Sequence, residues 1–124
     1  MSNKTLLLIT FCLCFTFGQS LKAQLVITSA FVSIPRLNFS GPAKNEVIID
    51  GVKNTVTIKG TVNKAYLIED ISKDNKIFKL KDYSNKYTMA FTKVDGADVL
   101  GFIDSKTEEI EYIFGIDGII TLRK

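Results

Sequence analysis

Side chains suited to catalysis or metal binding are scarce in this chain of 124 residues. It contains no histidine and no tryptophan, and its only cysteines are Cys12 and Cys14. Without histidine, the triads that activate a serine or cysteine nucleophile cannot form. Both cysteines lie in an apolar leader, so the remaining chain also lacks the nitrogen and sulfur ligands of zinc, copper, haem and iron–sulfur centres. We therefore predict that the protein is not an enzyme and binds no cofactor.

Carboxylates are the remaining candidates for metal binding or catalysis, because oxygen ligands alone can hold calcium. Asp95, Asp98 and Asp104 lie close together in sequence, but aspartate also populates turns through hydrogen bonds to its own backbone. Glu109 and Glu111 would share one face of a strand, which is the arrangement that a glycosidase carboxylate pair needs to be considered. We interpret the aspartates as turn residues and the glutamates as a solvated strand face. We predict no catalytic and no metal-binding residue.

The first 23 residues have the pattern of a secretory signal peptide. Lys4 precedes an unbroken run of apolar residues and threonines from 6 to 17, and Ser20 and Ala23 offer small residues for cleavage. This run is too short for the roughly 20 residues that span a bilayer. The leader looks bacterial, and it predicts cleavage near residues 20–24. The mature protein is then periplasmic or secreted, with no membrane span.

Residues 24–124 are enough for a single domain with one modest core. The whole chain has 16 basic and 13 acidic residues, and removing the leader with Lys4 and Lys22 leaves 14 basic residues, a net charge of +1. A protein that binds nucleic acid is expected to be clearly basic. The composition therefore argues against a nucleic-acid partner.

An alternation of apolar and polar residues predicts strands throughout this domain. Phe78 and Leu80 share one face of a predicted strand, and Tyr87, Met89 and Phe91 share one face of the next. A period of two indicates a sheet with one buried face. About nine short strands and no helical periodicity predict an all-β fold with under about 10% helix, against a usual third. We expect a small antiparallel β-sandwich, with an up-and-down β-barrel as the alternative.

Two turn signals divide the chain near its ends. Ser40-Gly41-Pro42 predicts a turn before the second long strand. Asp117-Gly118 predicts a two-residue hairpin, in which Ile113 would face Leu122.

Residues 37–103 resemble the C-terminal sorting domain of type IX secretion substrates. That family has a proline-alanine turn and strand, an apolar strand ending in an Asp-hydrophobic-Ser turn, and an alternating strand followed by a glycine turn and a last apolar strand. The matching segments are 41–49 (GPAKNEVII), 66–72 (YLIEDIS) with 76–80 (KIFKL), and 87–91 (YTMAF) with Gly96 and 99–103 (VLGFI). The resemblance implies an immunoglobulin-like sandwich, and it gives a degenerate sorting-like domain as an alternative function.

These observations favour a non-enzymatic β module that binds another protein in the cell envelope or outside the cell, as adhesion, assembly and inhibitor domains do. We expect the predicted C-terminal hairpin, residues 108–123, to present the binding edge, with Ile119, Thr121 and Arg123 as contacts. Tyr83 lies in a polar turn and is a further candidate contact. An alternative function is a barrel that carries a small apolar ligand in a pocket of Phe78, Met89 and Phe91. The sequence leaves the oligomeric state open.

Overall fold

The computed structural model describes residues 23–123, so the predicted leader up to residue 22, both cysteines and Lys124 lie outside it. The described chain forms nine antiparallel strands and one 3-10 turn, Pro35–Leu37. The strands are β1 (Ala23–Ile34), β2 (Phe39–Asp50), β3 (Thr55–Gly60), β4 (Lys64–Ile71), β5 (Ile77–Asp82), β6 (Asn85–Val94), β7 (Ala97–Asp104), β8 (Ile110–Gly115) and β9 (Gly118–Arg123). Within residues 23–123, no helix is long and apolar enough to cross a membrane.

Strands β1 to β8 close into an up-and-down barrel. Each strand pairs with the next in sequence, and β1 completes the ring by pairing with β2 on one side and β8 on the other. The prediction of an all-β antiparallel fold is confirmed, and the barrel given as the alternative is the architecture found. The β-sandwich that the sequence favoured does not form, because β1 pairs with both β2 and β8 and the sheet never separates into two facing layers.

Side chains fill the interior of this barrel. An eight-stranded barrel is just wide enough for its inward residues to pack against one another. Phe78, Leu80, Tyr87 and Met89 are all buried, as the alternation predicts. Phe78 and Met89, expected to line a ligand pocket in the carrier alternative, are instead packed within the core, while Phe91 lies partly buried at its margin. The largest fully buried side chains are Phe78, Phe102, Phe114, Ile27, Ile49, Ile58, Leu80, Met89, Leu100, Val32 and Val47.

The predicted turn at Ser40-Gly41-Pro42 is wrong, because these residues belong to β2. The chain instead reverses at Pro35–Leu37, where Asn38 adopts a left-handed conformation with φ 54° that asparagine tolerates well. Pro42 is accommodated because it pairs with Phe31 immediately beside a β-bulge, one of the few sheet positions where a missing N–H is tolerated.

The two ends of the barrel are named here by the turns they carry. The β5–β6 end holds the β1–β2, β3–β4, β5–β6 and β7–β8 connections, and the β6–β7 end holds the β2–β3, β4–β5 and β6–β7 turns and the start of β1.

Gly60 at the end of β3 is expected to tolerate no side chain. Its φ of +138° is unfavourable for other residues, and an added Cβ would collide with the Lys44 carbonyl oxygen and lie 2.7 Å from Asn45 Oδ1. We expect Gly60→Ala to lower the free energy of unfolding by about 2 kcal/mol or more, measured by urea denaturation.

Gly101 on β7 is the matched control, since nothing lies within 4 Å of its added Cβ. Gly101→Ala should change the unfolding free energy by no more than about 0.5 kcal/mol. Equal effects of the two substitutions would contradict a specific clash at Gly60.

Candidate functional site

The predicted contact residues lie at opposite ends of the barrel. Ile119, Thr121 and Arg123 all belong to β9, which runs along the first half of β1 at the β6–β7 end. Tyr83 occupies the β5–β6 turn, where it is 89% exposed and has an unusual positive φ of 57°. The structure thus brings three of the four residues together on one strand, and Tyr83 cannot share a binding surface with them on the same molecule.

The expected hairpin at Asp117-Gly118 does not form. Strands β8 and β9 follow one another in the same direction along β1, which pairs with β8 through Phe31–Ser33 and with β9 through Ala23–Thr28. Ile113 therefore faces Ser33 and Leu122 faces Gln24, rather than each other. The physical reason is that β1 offers β9 a complete partner, so the chain continues straight instead of turning back.

A local irregularity separates β8 from β9. The Asp117 N–H donates to the Thr28 carbonyl oxygen at 2.8 Å, and the Thr28 hydroxyl donates to the Gly118 carbonyl oxygen at 3.3 Å. Both contacts place the backbone groups of residues 117 and 118 on the side of β1, as in a β-bulge. Regular pairing with β1 resumes from Gly118 onward.

The next residues of β9 present free backbone groups on the opposite side. Backbone N–H and C=O groups of successive strand residues point alternately to the two sides of the strand. Because those of Gly118 face β1, those of Ile119, Thr121 and Arg123 face away from it. Among the described residues, β9 pairs with β1 alone, so this row of backbone groups forms an open sheet edge.

Apolar side chains accompany this edge on both faces of β9. Ile119 lies beside the buried Ile27, and Ile120 lies beside Val26 on the opposite face. Ile119, Ile120 and Leu122 are 52%, 54% and 47% exposed. Three large apolar side chains that are about half exposed on one edge strand are typical of a surface that another chain covers.

A cleft of about 200 Å³ lies between β9 and the β6–β7 hairpin. It opens on the free side of β9, because β7 neighbours β8 on the side away from β1. Its lining residues come from the β4–β5 turn, from β6 and β7, and from the region of the bulge and β9: Lys76, Phe91, Thr92, Lys93, Asp98, Val99, Ile116 and Ile119. Sequence reasoning did not find this cleft, since it depends on how β9 is placed.

A cluster of buried tyrosines at the β5–β6 end was also missed. Tyr66, Tyr87 and Tyr112 are each the third residue of an even-numbered strand, and even-numbered strands all start at this end. That common position was the signal available in the sequence. Phe102 stacks on Tyr66 with centroids 5.6 Å apart and meets Tyr112 edge-on at 6.2 Å, and Tyr87 meets Tyr66 edge-on at 5.3 Å.

Tyr66 is the most constrained member of this cluster. Only 2% of the residue is exposed, and its hydroxyl has no hydrogen-bond partner among the described residues. Burial raises the pKa of Tyr66 far above its usual value, with smaller contributions from Tyr112 and Tyr87. Burial also raises the pKa of Tyr87, although the nearby Lys64 charge opposes that rise.

Lys64 covers this cluster from the start of β4. Its Nζ lies 5.7 Å from the ring centroid of Tyr66 and 5.9 Å from that of Tyr87, within the range of cation–π attraction. It also lies 3.5 Å from an Asp82 carboxylate oxygen. The arrangement neutralises a partly buried charge and closes the end of the barrel over the tyrosine rings.

The aspartates considered for calcium do not converge. Asp98 pairs with Lys93 at 3.0 Å near the start of β7, whereas Asp104, at the other end of β7, accepts the N–H groups of Lys106 and Thr107. In the part of the chain that the structure describes, no group of three or more acidic, histidine or cysteine residues is arranged to hold a metal ion.

Comparison of the chain with known protein families, with curated proteins and with solved structures finds no match. The resemblance of residues 37–103 to a sorting domain stays a prediction. The candidate site therefore rests on the geometry of β9 and its surroundings.

The buried Tyr66 hydroxyl predicts an alkaline loss of stability. A tyrosine with a raised pKa in the fold must stay neutral there, while it ionises near pH 10 once unfolded. The contribution of neutral Tyr66 to the free energy of unfolding is therefore complete below pH 10, and it falls by about 1.4 kcal/mol per pH unit above pH 10. We expect Tyr66→Phe to make the fall in unfolding free energy between about pH 9 and 12 shallower, measured by chemical denaturation.

At neutral pH the same substitution removes an unsatisfied buried hydroxyl, so we expect it to be neutral or stabilising by up to about 1 kcal/mol. Tyr83→Phe is the control. Because Tyr83 is exposed, this substitution should change neither the unfolding free energy at neutral pH nor its fall at alkaline pH. An unchanged alkaline profile in Tyr66→Phe would show that the hydroxyl is not held neutral by burial.

Proposed function

We propose that this protein is a non-enzymatic β module that binds another protein of the cell envelope, or outside the cell, by adding a strand to the β9 edge. The single observation that carries the proposal is the row of unpaired backbone groups at Ile119, Thr121 and Arg123. An extended segment that aligns with β9 would satisfy this row with regular main-chain hydrogen bonds.

The side chains of β9 support the same role. Natural sheet edges are usually protected against pairing by lysine, proline or inward charges. Residues 118–122 of β9 include none of these, and Ile119, Ile120 and Leu122 are about half exposed. An unprotected edge of this composition favours a protein partner that covers it.

The alternative of a small-ligand carrier has less support. A carrier needs an enclosed space inside the barrel, and the core positions expected to line it, Phe78 and Met89, are 1% and 0% exposed within the packed core. The cleft beside β9 is also smaller than the roughly 300 Å³ at which pockets for small molecules begin.

Strand addition predicts that one backbone donor on β9 controls partner binding. Thr121→Pro removes an outward N–H and is compatible with an edge strand. We expect it to weaken partner binding by about tenfold, the effect of losing one hydrogen bond worth about 1.4 kcal/mol. The measurement is quantitative capture of envelope proteins by the immobilised mature chain.

Thr121→Ala is the matched control, because it shortens the same side chain and keeps the N–H. Circular dichroism and thermal unfolding should first show that both variants retain the barrel. If partners are captured equally by the folded proline and alanine variants, strand addition at β9 is refuted.

The cellular location carries its own test. The proposal requires export, and cleavage after Ser20 or Ala23 would leave β1 able to pair from Gln24, which lies opposite Asp50. We expect protein isolated from the cell envelope or medium to begin between Leu21 and Leu25, as determined by N-terminal sequencing. A soluble cytoplasmic product that retains Met1 or Ser2 would contradict export.

A further inference from the structure

The cleft beside β9 has the size and position to receive one side chain of an added strand. It lies along the free side of β9, and Ile119 both contributes to the cleft and carries an outward backbone N–H. A strand that pairs with Ile119 must therefore pass over the cleft. Because side chains alternate between the two faces of a strand, every second residue of the added strand on that face points toward it.

The walls of the cleft define what that side chain should be. Phe91, Val99, Ile116 and Ile119 provide an apolar surface, and the volume of about 200 Å³ suits a single large side chain. Val99 is buried and Phe91 is partly buried, so an apolar group that enters the cleft loses contact with water where it meets these side chains. Removing a large apolar side chain from water against these walls favours binding.

The charges around the cleft add a second requirement. Lys93 is paired with Asp98 at 3.0 Å. Lys76 also lines the cleft and is exposed, and it forms no ion pair with any residue in the described range 23–123. A carboxylate carried by the bound segment near its apolar anchor would complement Lys76.

From this geometry we infer that the β9 edge selects an extended segment of a partner protein that carries a large apolar residue, inserted into the cleft, and an acidic residue two positions away on the same face. The inference rests on the proposed function, since it names the partner of that same edge. The row of backbone groups provides affinity for any strand, and the cleft provides the selection among strands.

A synthetic peptide series tests the selection directly. The probe is an end-blocked eight-residue peptide of threonines, which favour extended structure, with a guest residue at its centre and a glutamate two positions later. Binding to the mature chain is followed by amide chemical shifts of Ile119 and Thr121. We expect the leucine and phenylalanine guests to bind at least about tenfold more tightly than the alanine guest.

Variants of the protein separate the cleft from the edge. Thr92→Trp fills the cleft from an exposed position on β6, and should abolish the preference for large guests while leaving the backbone edge intact. Thr57→Trp on β3 is the matched control and should leave the preference unchanged. A guest preference that survives Thr92→Trp overturns the assignment of the anchor to this cleft.

The acidic requirement is tested by exchanging charges. A peptide with lysine in place of the glutamate should bind the unmodified protein several-fold more weakly, and Lys76→Glu should reverse that order. If Lys76→Glu does not reverse the order of the two peptides, the pairing with Lys76 is refuted.

Other outcomes distinguish the inference from the function on which it rests. Equal binding of all guests, or binding of none, overturns the inference, while partner capture that still depends on the Thr121 N–H leaves strand addition standing. If Thr121→Pro weakens neither peptide binding nor partner capture, strand addition itself fails.

Discussion

Pairing of β1 on both of its sides is the constraint on which the rest of the structure depends. This strand of 12 residues bonds to β2 along one side and to β8 and β9 along the other. Closure of β1 to β8 removes the two open edges that a flat sheet of those eight strands would have. It also fixes the interior at a width that inward side chains fill, which is why three phenylalanines can be completely buried in a domain of this size.

The length of β1 relative to its neighbours then creates the candidate site. Strand β7 begins at Ala97, and the Asp98 carbonyl oxygen accepts the Ile116 N–H, so the pairing of β7 ends beside residue 116. Beyond that point the chain still has β1 to pair with, and it does so as β9. The open edge is therefore a consequence of barrel closure by a strand longer than the ring requires.

Much of the strand content follows from the sequence, while closure does not. Alternation placed Phe78, Leu80, Tyr87 and Met89 on the buried faces of their strands, and all four are buried. A sandwich and a barrel share the same alternation, however, because they differ only in which distant strands pair. The contacts of β1 with β8 and β9 join residues about 80 to 100 positions apart, and local patterns carry little information about them.

Two of the three Asp-Gly pairs in the chain show how tertiary structure overrides a local signal. Asp95 and Gly96 both have positive φ and form the β6–β7 turn, as the dipeptide favours. Gly118 does not have a positive φ, because β1 provides a pairing partner straight ahead and the strand has no need to reverse. The position of the last strand at a sheet edge could thus be predicted from the sequence, but its neighbour, its direction and the cleft beside it could not.

The two ends of the barrel differ in which polar groups lack protein partners among the described residues. Those at one end affect the stability of the fold, and those at the other are accessible to a partner. Among the described residues, the buried side-chain groups without a hydrogen-bond partner are the Tyr66 hydroxyl and Asn45 Nδ2, and both lie toward the β5–β6 end. The Tyr66 hydroxyl is enclosed by rings and covered by Lys64, where no partner chain can reach it. At the β6–β7 end the groups without protein partners are backbone groups of β9, which water satisfies in the free protein and a partner strand can satisfy in a complex. A buried polar group without a partner lowers the stability of the fold. Exposed backbone groups that are hydrogen-bonded to water cost almost nothing until another strand displaces that water. Under the proposed function, binding at β9 could therefore change without disturbing the core that holds the edge in place.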